Sequence, residues 1–69
     1  MSKIKITLNG LDHEITKGQT IFDLVDNLQL DLEKIAIEQN LEIIMPDNFK
    51  KTLINSGDRI EVVSFIGGG

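Results

Sequence analysis

An α+β fold, with one helix laid against a mixed sheet in two layers, is what this sequence of 69 residues predicts. Three observations point there. The stretch from Lys3 to Ile15 alternates polar and apolar residues on either side of an Asn-Gly dipeptide. From Ile21 an apolar stripe recurs at helical spacing, and the run from Arg59 to Ile66 is rich in β-branched and apolar residues.

The elements follow in chain order. Lys3 to Leu8 alternates strictly, as a half-buried strand does. Asn9-Gly10 is the strongest short-range hairpin signal, because a two-residue turn matching strand twist needs positive φ at both positions. With that turn Leu8 faces Leu11, Ile6 faces His13 and Ile4 faces Ile15, which puts the apolar residues of both strands on one face. Lys17-Gly18-Gln19 breaks the strand. Thr20 is a good N-cap with Asp23 three residues on, and Ile21, Leu24, Val25 and Leu28 fall on one helical stripe. A helix from Ile21 to about Gln29 is expected.

Ile35 to Glu38 and Glu42 to Ile44 read as two further strands joined at Asn40-Leu41. Met45 to Asn48 reads as a loop, since Pro46 has no amide for a central ladder, and one helical turn is expected in Phe49 to Leu53. Asn55-Ser56-Gly57-Asp58 is a turn cluster in which the Asp58 side chain fixes the turn. Arg59 to Ile66 is the last strand. A hairpin wrapped over a helix and closed by a terminal strand is the β-grasp shape, so residues 1–66 are expected to form a single β-grasp domain with 67–69 as a flexible glycine tail.

Composition narrows the function. The chain contains no cysteine, which excludes disulfides, thiolate metal sites and a cysteine nucleophile. His13 is the lone histidine, and nothing pairs a nucleophile with a base. A formal net charge of -4 argues against nucleic acid, whose phosphates are held by clustered Lys and Arg. It suits a partner with a basic surface, or simply an acidic solvated one. The N-terminus lacks the apolar run of a signal peptide and no stretch reaches the length of a membrane span, so a cytoplasmic protein without membrane contact is expected.

The unusual feature is Phe65-Ile66-Gly67-Gly68-Gly69. Glycine has no Cβ, so such a tail is thin and reaches conformations closed to other residues. One reading is a frayed terminus. The other is a tail, aimed by the strand before it, that threads a narrow channel in a partner enzyme through Gly67 and Gly68 and presents the carboxyl of Gly69. A carboxylate is a poor electrophile; adenylation by ATP would supply AMP as leaving group, and a sulfur nucleophile could then take its place. The activating partner would provide the ATP site and Mg²⁺, and this chain would bind no cofactor itself. Val63, Phe65 and Ile66 beside the tail are either packed against a neighbouring loop or form an apolar docking patch.

Four segments together resemble the ThiS family, the sulfur carriers of thiamine biosynthesis with the ubiquitin-like β-grasp fold. They are Leu8-Asn9-Gly10, Gly18-Gln19-Thr20-Ile21 leading into Asp23-Leu24, Gly57-Asp58-Arg59-Ile60-Glu61, and Gly67-Gly68-Gly69. The resemblance implies a protein substrate and carrier without an active site of its own. It implies adenylation of Gly69 by a ThiF-type enzyme, conversion to a thiocarboxylate with sulfur from a donor protein, and delivery to a ThiG-type thiazole synthase. Leu41 stands where the family often has glycine, and Phe49 where many members have tryptophan. Two alternatives share the same start: a MoaD-like small subunit of molybdopterin synthase, whose members commonly carry prolines before the tail, and a ubiquitin-like modifier that forms amide bonds through Gly69.

Overall fold

The computed structural model describes residues 2–65. In it β1 (Lys3–Leu8) and β2 (Leu11–Thr16) form the hairpin, followed by α1 (Ile21–Asn27), β3 (Ile35–Gln39), β4 (Glu42–Ile44) and β5 (Arg59–Ser64). Short 3₁₀ turns occupy Leu32–Lys34 and Pro46–Lys51. The sheet order is β2-β1-β5-β3-β4, with β1 and β5 parallel and every other neighbour antiparallel. A terminal strand inserted beside the first, with one helix across the sheet, is the β-grasp arrangement.

The hairpin takes the register expected from its parity: Leu8 pairs with Leu11, Ile6 with His13 and Ile4 with Ile15. Ile6 and Ile15 are buried, but Leu11 on the same face is 73% exposed, because it lies at the hairpin tip beyond the helix layer. Helix α1 starts as a capping box. The Asp23 N–H donates to Thr20 Oγ1 at 3.2 Å while the Thr20 N–H donates to Asp23 Oδ2 at 2.9 Å. Its buried face is Ile21, Leu24 and Val25.

The helix ends earlier than its apolar stripe suggests. Gln29 turns left-handed at φ +57, its N–H donates to the Asp26 carbonyl, and the Leu30 N–H reaches back to Val25. That pairing is a Schellman cap, which satisfies the last carbonyls and stops the helix at Asn27. A second difference lies at Pro46, expected in a loop. It opens the 3₁₀ turn, because proline's fixed φ suits a first helical position and its missing N–H is not needed there.

Phe49 is carried by that turn into the centre of the core, 1% exposed, among Ile6, Ile15, Ile21, Leu24, Val25, Ile35, Ile37, Ile54 and Ile60. Each such side chain contributes roughly 1.5–3 kcal/mol by leaving water. The connection around Phe49 is stitched to the helix start by backbone bonds from Ile21 N–H to Thr52 and from Ile54 N–H to Gln19. Among the described residues no helix is long and apolar enough to cross a membrane.

Candidate functional site

Strand β5 occupies the middle of the sheet, but its two halves differ. Its first residues lie between β1 and β3, with Leu8 opposite Ile60 and Gln39 opposite Ile60 on the other side. Beyond Leu8 the first strand turns away, and only β3 follows β5 onward, through Ile37–Val62, Ala36–Val63 and Ile35–Ser64. The Asn9 side chain fills part of the gap, its Oδ1 accepting the Val62 N–H at 2.7 Å. At the far end the Phe65 N–H donates to the Lys34 carbonyl at 2.6 Å. The strand is therefore fixed to the sheet up to Phe65, which is the root of the glycine segment.

Burial falls along the inward side of β5: Ile60 is buried, Val62 half-buried and Ser64 exposed. Ser64 keeps the inward parity, yet among the described residues no strand flanks it on the β1 side and the buried core cluster does not include a residue beyond Ile60 on this strand. On the outward side Val63 and Phe65 are 49% and 52% exposed. Among the described residues no loop covers them. Ile66, Gly67, Gly68 and Gly69 lie outside the described residues.

The outward patch extends beyond the residues expected from the sequence. Ala36 pairs with Val63 across the sheet, and the exposed Ile43 of β4 pairs with Glu38, which in turn pairs with Glu61. Alternation alone could not find Ile43, because Ile43 and Ile44 are adjacent and only the sheet decides which faces in. Arg59 binds Glu61 at 3.0 Å, an exposed pair of small energetic weight. His13 is partly covered opposite Ile6, as its place in the hairpin implied.

Beneath the start of β5 lies Asp58, a carboxylate only 7% exposed. It accepts the Asn55 N–H at 2.8 Å, as a turn-fixing aspartate would, and also the side-chain amides of Gln39 at 2.8 Å and Asn40 at 3.0 Å. Burial pushes its pKa up, but these three donors outweigh burial and hold the carboxyl below its ordinary value. The Asn40 side chain also accepts the Arg59 N–H at 2.9 Å. Asp58 thus joins the 55–58 turn to β3 and sets where β5 enters the sheet. Sequence showed the turn; the link to Gln39 and Asn40 is long-range and leaves no local pattern.

A mixed sheet of five strands grasping one helix defines a small β-grasp protein, in which the last strand is followed along the chain by glycines. The model of the ThiS family matches residues 6–69, glycines included, and the chain belongs to that family. It is 37% identical over 65 residues to the sulfur carrier protein ThiS of Bacillus subtilis, covering 93% of this chain and 98% of that protein. The crystal structure of the thiamine biosynthesis protein ThiS from Geobacter metallireducens superposes with a TM-score of 0.84 at 26% identity, over 96% of this chain and 100% of that one. The thiazole synthase of Paramagnetospirillum magneticum is 36% identical over 66 residues, 96% of this chain. The chain spans only 20% of the length of that protein and of its counterpart in Magnetococcus marinus.

Proposed function

We propose that this chain is a cytoplasmic sulfur carrier of thiamine biosynthesis and that the carboxyl of Gly69 is its reacting group. The observation that carries the reading is the family match running through the glycines to residue 69, on a strand whose last described residue is clamped to Lys34. A fixed root limits the directions in which a short segment can leave the domain, which favours entry into a partner's channel.

The chemistry divides between this chain and its partners. A ThiF-type enzyme using ATP and Mg²⁺ converts the Gly69 carboxylate to an acyl-adenylate and releases pyrophosphate. Sulfide sulfur, supplied by a donor protein, attacks the acyl carbon; AMP departs with the C–O bond electrons and a thiocarboxylate remains. Without side chains, Gly67 and Gly68 let the backbone pass a narrow channel. A ThiG-type thiazole synthase accepts the sulfur, a partnership supported by thiazole synthases that contain a segment similar to this chain. Val63, Phe65 and Ile66 dock the domain beside the channel mouth.

Intact mass after incubation with ATP, Mg²⁺, a ThiF-type enzyme and a sulfur donor tests this. The expected result is a gain equal to sulfur replacing one oxygen, absent when Gly69 is deleted. No gain with a competent activating enzyme would overturn the carrier reading, and stable amide conjugates in cell extract would replace it with a protein modifier.

A further inference from the structure

The turn between β1 and β2 carries a reactive dipeptide. In Asn9-Gly10 no side chain on the second residue hinders attack by its nitrogen on the Asn9 amide, and a Cβ at Gly10 would meet open space. Both residues are exposed, so water reaches the amide. Asn9 is also a fixed part of the sheet. Its Oδ1 accepts the Val62 N–H at 2.7 Å, and its backbone N–H donates to the Ile60 carbonyl at 2.9 Å. These two bonds tie the turn to β5 where pairing with β1 stops.

We propose that Asn9 is a site of spontaneous deamidation, held in check by the turn and by the bond to Val62, and that the reaction frees one side of β5 near the tail root. The Gly10 nitrogen attacks Asn9 Cγ. An N–C bond forms, the Cγ–Nδ2 bond breaks, and ammonia leaves with the proton lost by the Gly10 amide. Water then opens the five-membered imide at either carbonyl, giving aspartate or isoaspartate. The reaction needs neither a partner nor a nucleotide.

The native turn opposes ring closure. Positive φ at both central residues, 50 and 82, makes it a type I′ turn. In that turn ψ of the first residue is about 30°. The Gly10 nitrogen then lies across the Cα–C bond from Cβ, whereas the imide ring needs the two on the same side. Cyclisation therefore waits for a local opening in which the turn rotates and the Val62 bond breaks. The isoaspartate product cannot close the same turn. It routes the main chain through Cβ and Cγ, adding a methylene to a two-residue connection that sets the hairpin register, and it relocates the acceptor of the Val62 N–H. From Val62 onward β5 is then held by β3 alone.

Asn40 is the internal control. It takes the same turn position at φ +53, but Leu41 follows it and both ends of its amide are bound. Nδ2 donates to Asp58 at 3.0 Å and Oδ1 accepts the Arg59 N–H at 2.9 Å. A side chain beside the attacking nitrogen and an engaged leaving group both oppose the reaction there.

Peptide mass spectrometry of the folded and the urea-unfolded chain, incubated in mildly alkaline buffer, tests this. The expected result is a mass gain equal to oxygen replacing NH at Asn9 and not at Asn40, with isoaspartate detected by an isoaspartyl methyltransferase. The folded chain is expected to react about tenfold more slowly than the unfolded one. Gly10→Ala is expected to suppress the reaction in the unfolded chain, where only the added Cβ matters. Hydrogen exchange at the Val62 amide should rise in the isoaspartate form and stay low in Asn9→Asp, which keeps an acceptor on an unaltered backbone. No gain at Asn9 in the unfolded chain overturns the site. Equal rates in the folded and unfolded chains overturn the guard, and unchanged Val62 exchange in the isoaspartate form overturns the loosening of β5.

Discussion

The two hairpin turns, Asn9–Gly10 and Asn40–Leu41, meet the same requirement by unequal means. Each is a two-residue connection with positive φ at both positions, 50 and 82 in the first, 53 and 72 in the second. Each begins with an asparagine that also reaches β5. Asn9 donates its N–H to the Ile60 carbonyl and accepts the Val62 N–H; Asn40 donates to the Arg59 carbonyl and accepts the Arg59 N–H. The central strand is thus held from both sides by turn residues at places where strand pairing stops. The turns differ at the next residue, where glycine is replaced by an exposed leucine, and in the buried carboxylate that only Asn40 contacts. The first turn has the residue its backbone favours, whereas Leu41 holds a left-handed conformation that carries a steric cost at its Cβ.

The largest expected effect comes from removing the carboxylate behind the second turn. Asp58→Ala removes the buried carboxylate that three donors share, from Gln39, Asn40 and Asn55, and is expected to cost about 3 kcal/mol in urea unfolding. The pH dependence has a definite sign. Because the folded pKa is depressed, the stabilisation is complete above the ordinary aspartate value of about 3.9 and is lost as pH falls through the folded value. Asp58→Asn, compared with wild type between pH 7 and pH 2, should flatten that acid limb; an unchanged limb would assign it to other carboxylates.

Next come the asparagines. Asn40→Ala is expected to cost about 2.5 kcal/mol and Asn9→Ala about 1.5, both including the penalty of alanine in a left-handed turn. The difference isolates the bond from Asn40 to Asp58, so equal losses would mean that this bond carries no net stability. The smallest effect is at Gly10. A Cβ there meets open space, so Gly10→Ala reads backbone conformation alone and is expected to cost about 1 kcal/mol. No loss at Gly10 would remove the premise that Leu41 is strained.

The legible parts of this molecule are the local ones. Alternation and Asn-Gly specify the first hairpin and its register, because side-chain parity and a two-residue turn leave one pairing that buries Ile4, Ile6 and Ile15 together. Thr20 and Asp23 specify the helix start within a single turn of chain. The helix end was less legible, since Gln29 rather than glycine takes the left-handed position and the apolar Leu28 continues the stripe past the cap. Pro46 showed the same ambiguity: a residue excluded from a central ladder suits a loop or the first position of a 3₁₀ turn equally well.

For the candidate site, the glycines and the outward Val63 and Phe65 were readable because they follow from strand parity and chain order. Ala36 and Ile43 were not, since their membership of the patch depends on which strands lie side by side. The sequence by itself determined the fold class, the hairpin register, the helix start and the glycine segment, all set by steric and periodic rules acting over a few residues. Only the tertiary structure decided that β5 lies between β1 and β3, that Asp58 is buried beneath three donors, and that Ile43 on the edge strand is exposed. Those outcomes rest on contacts between residues far apart in the chain, for which a one-dimensional pattern has no period to display.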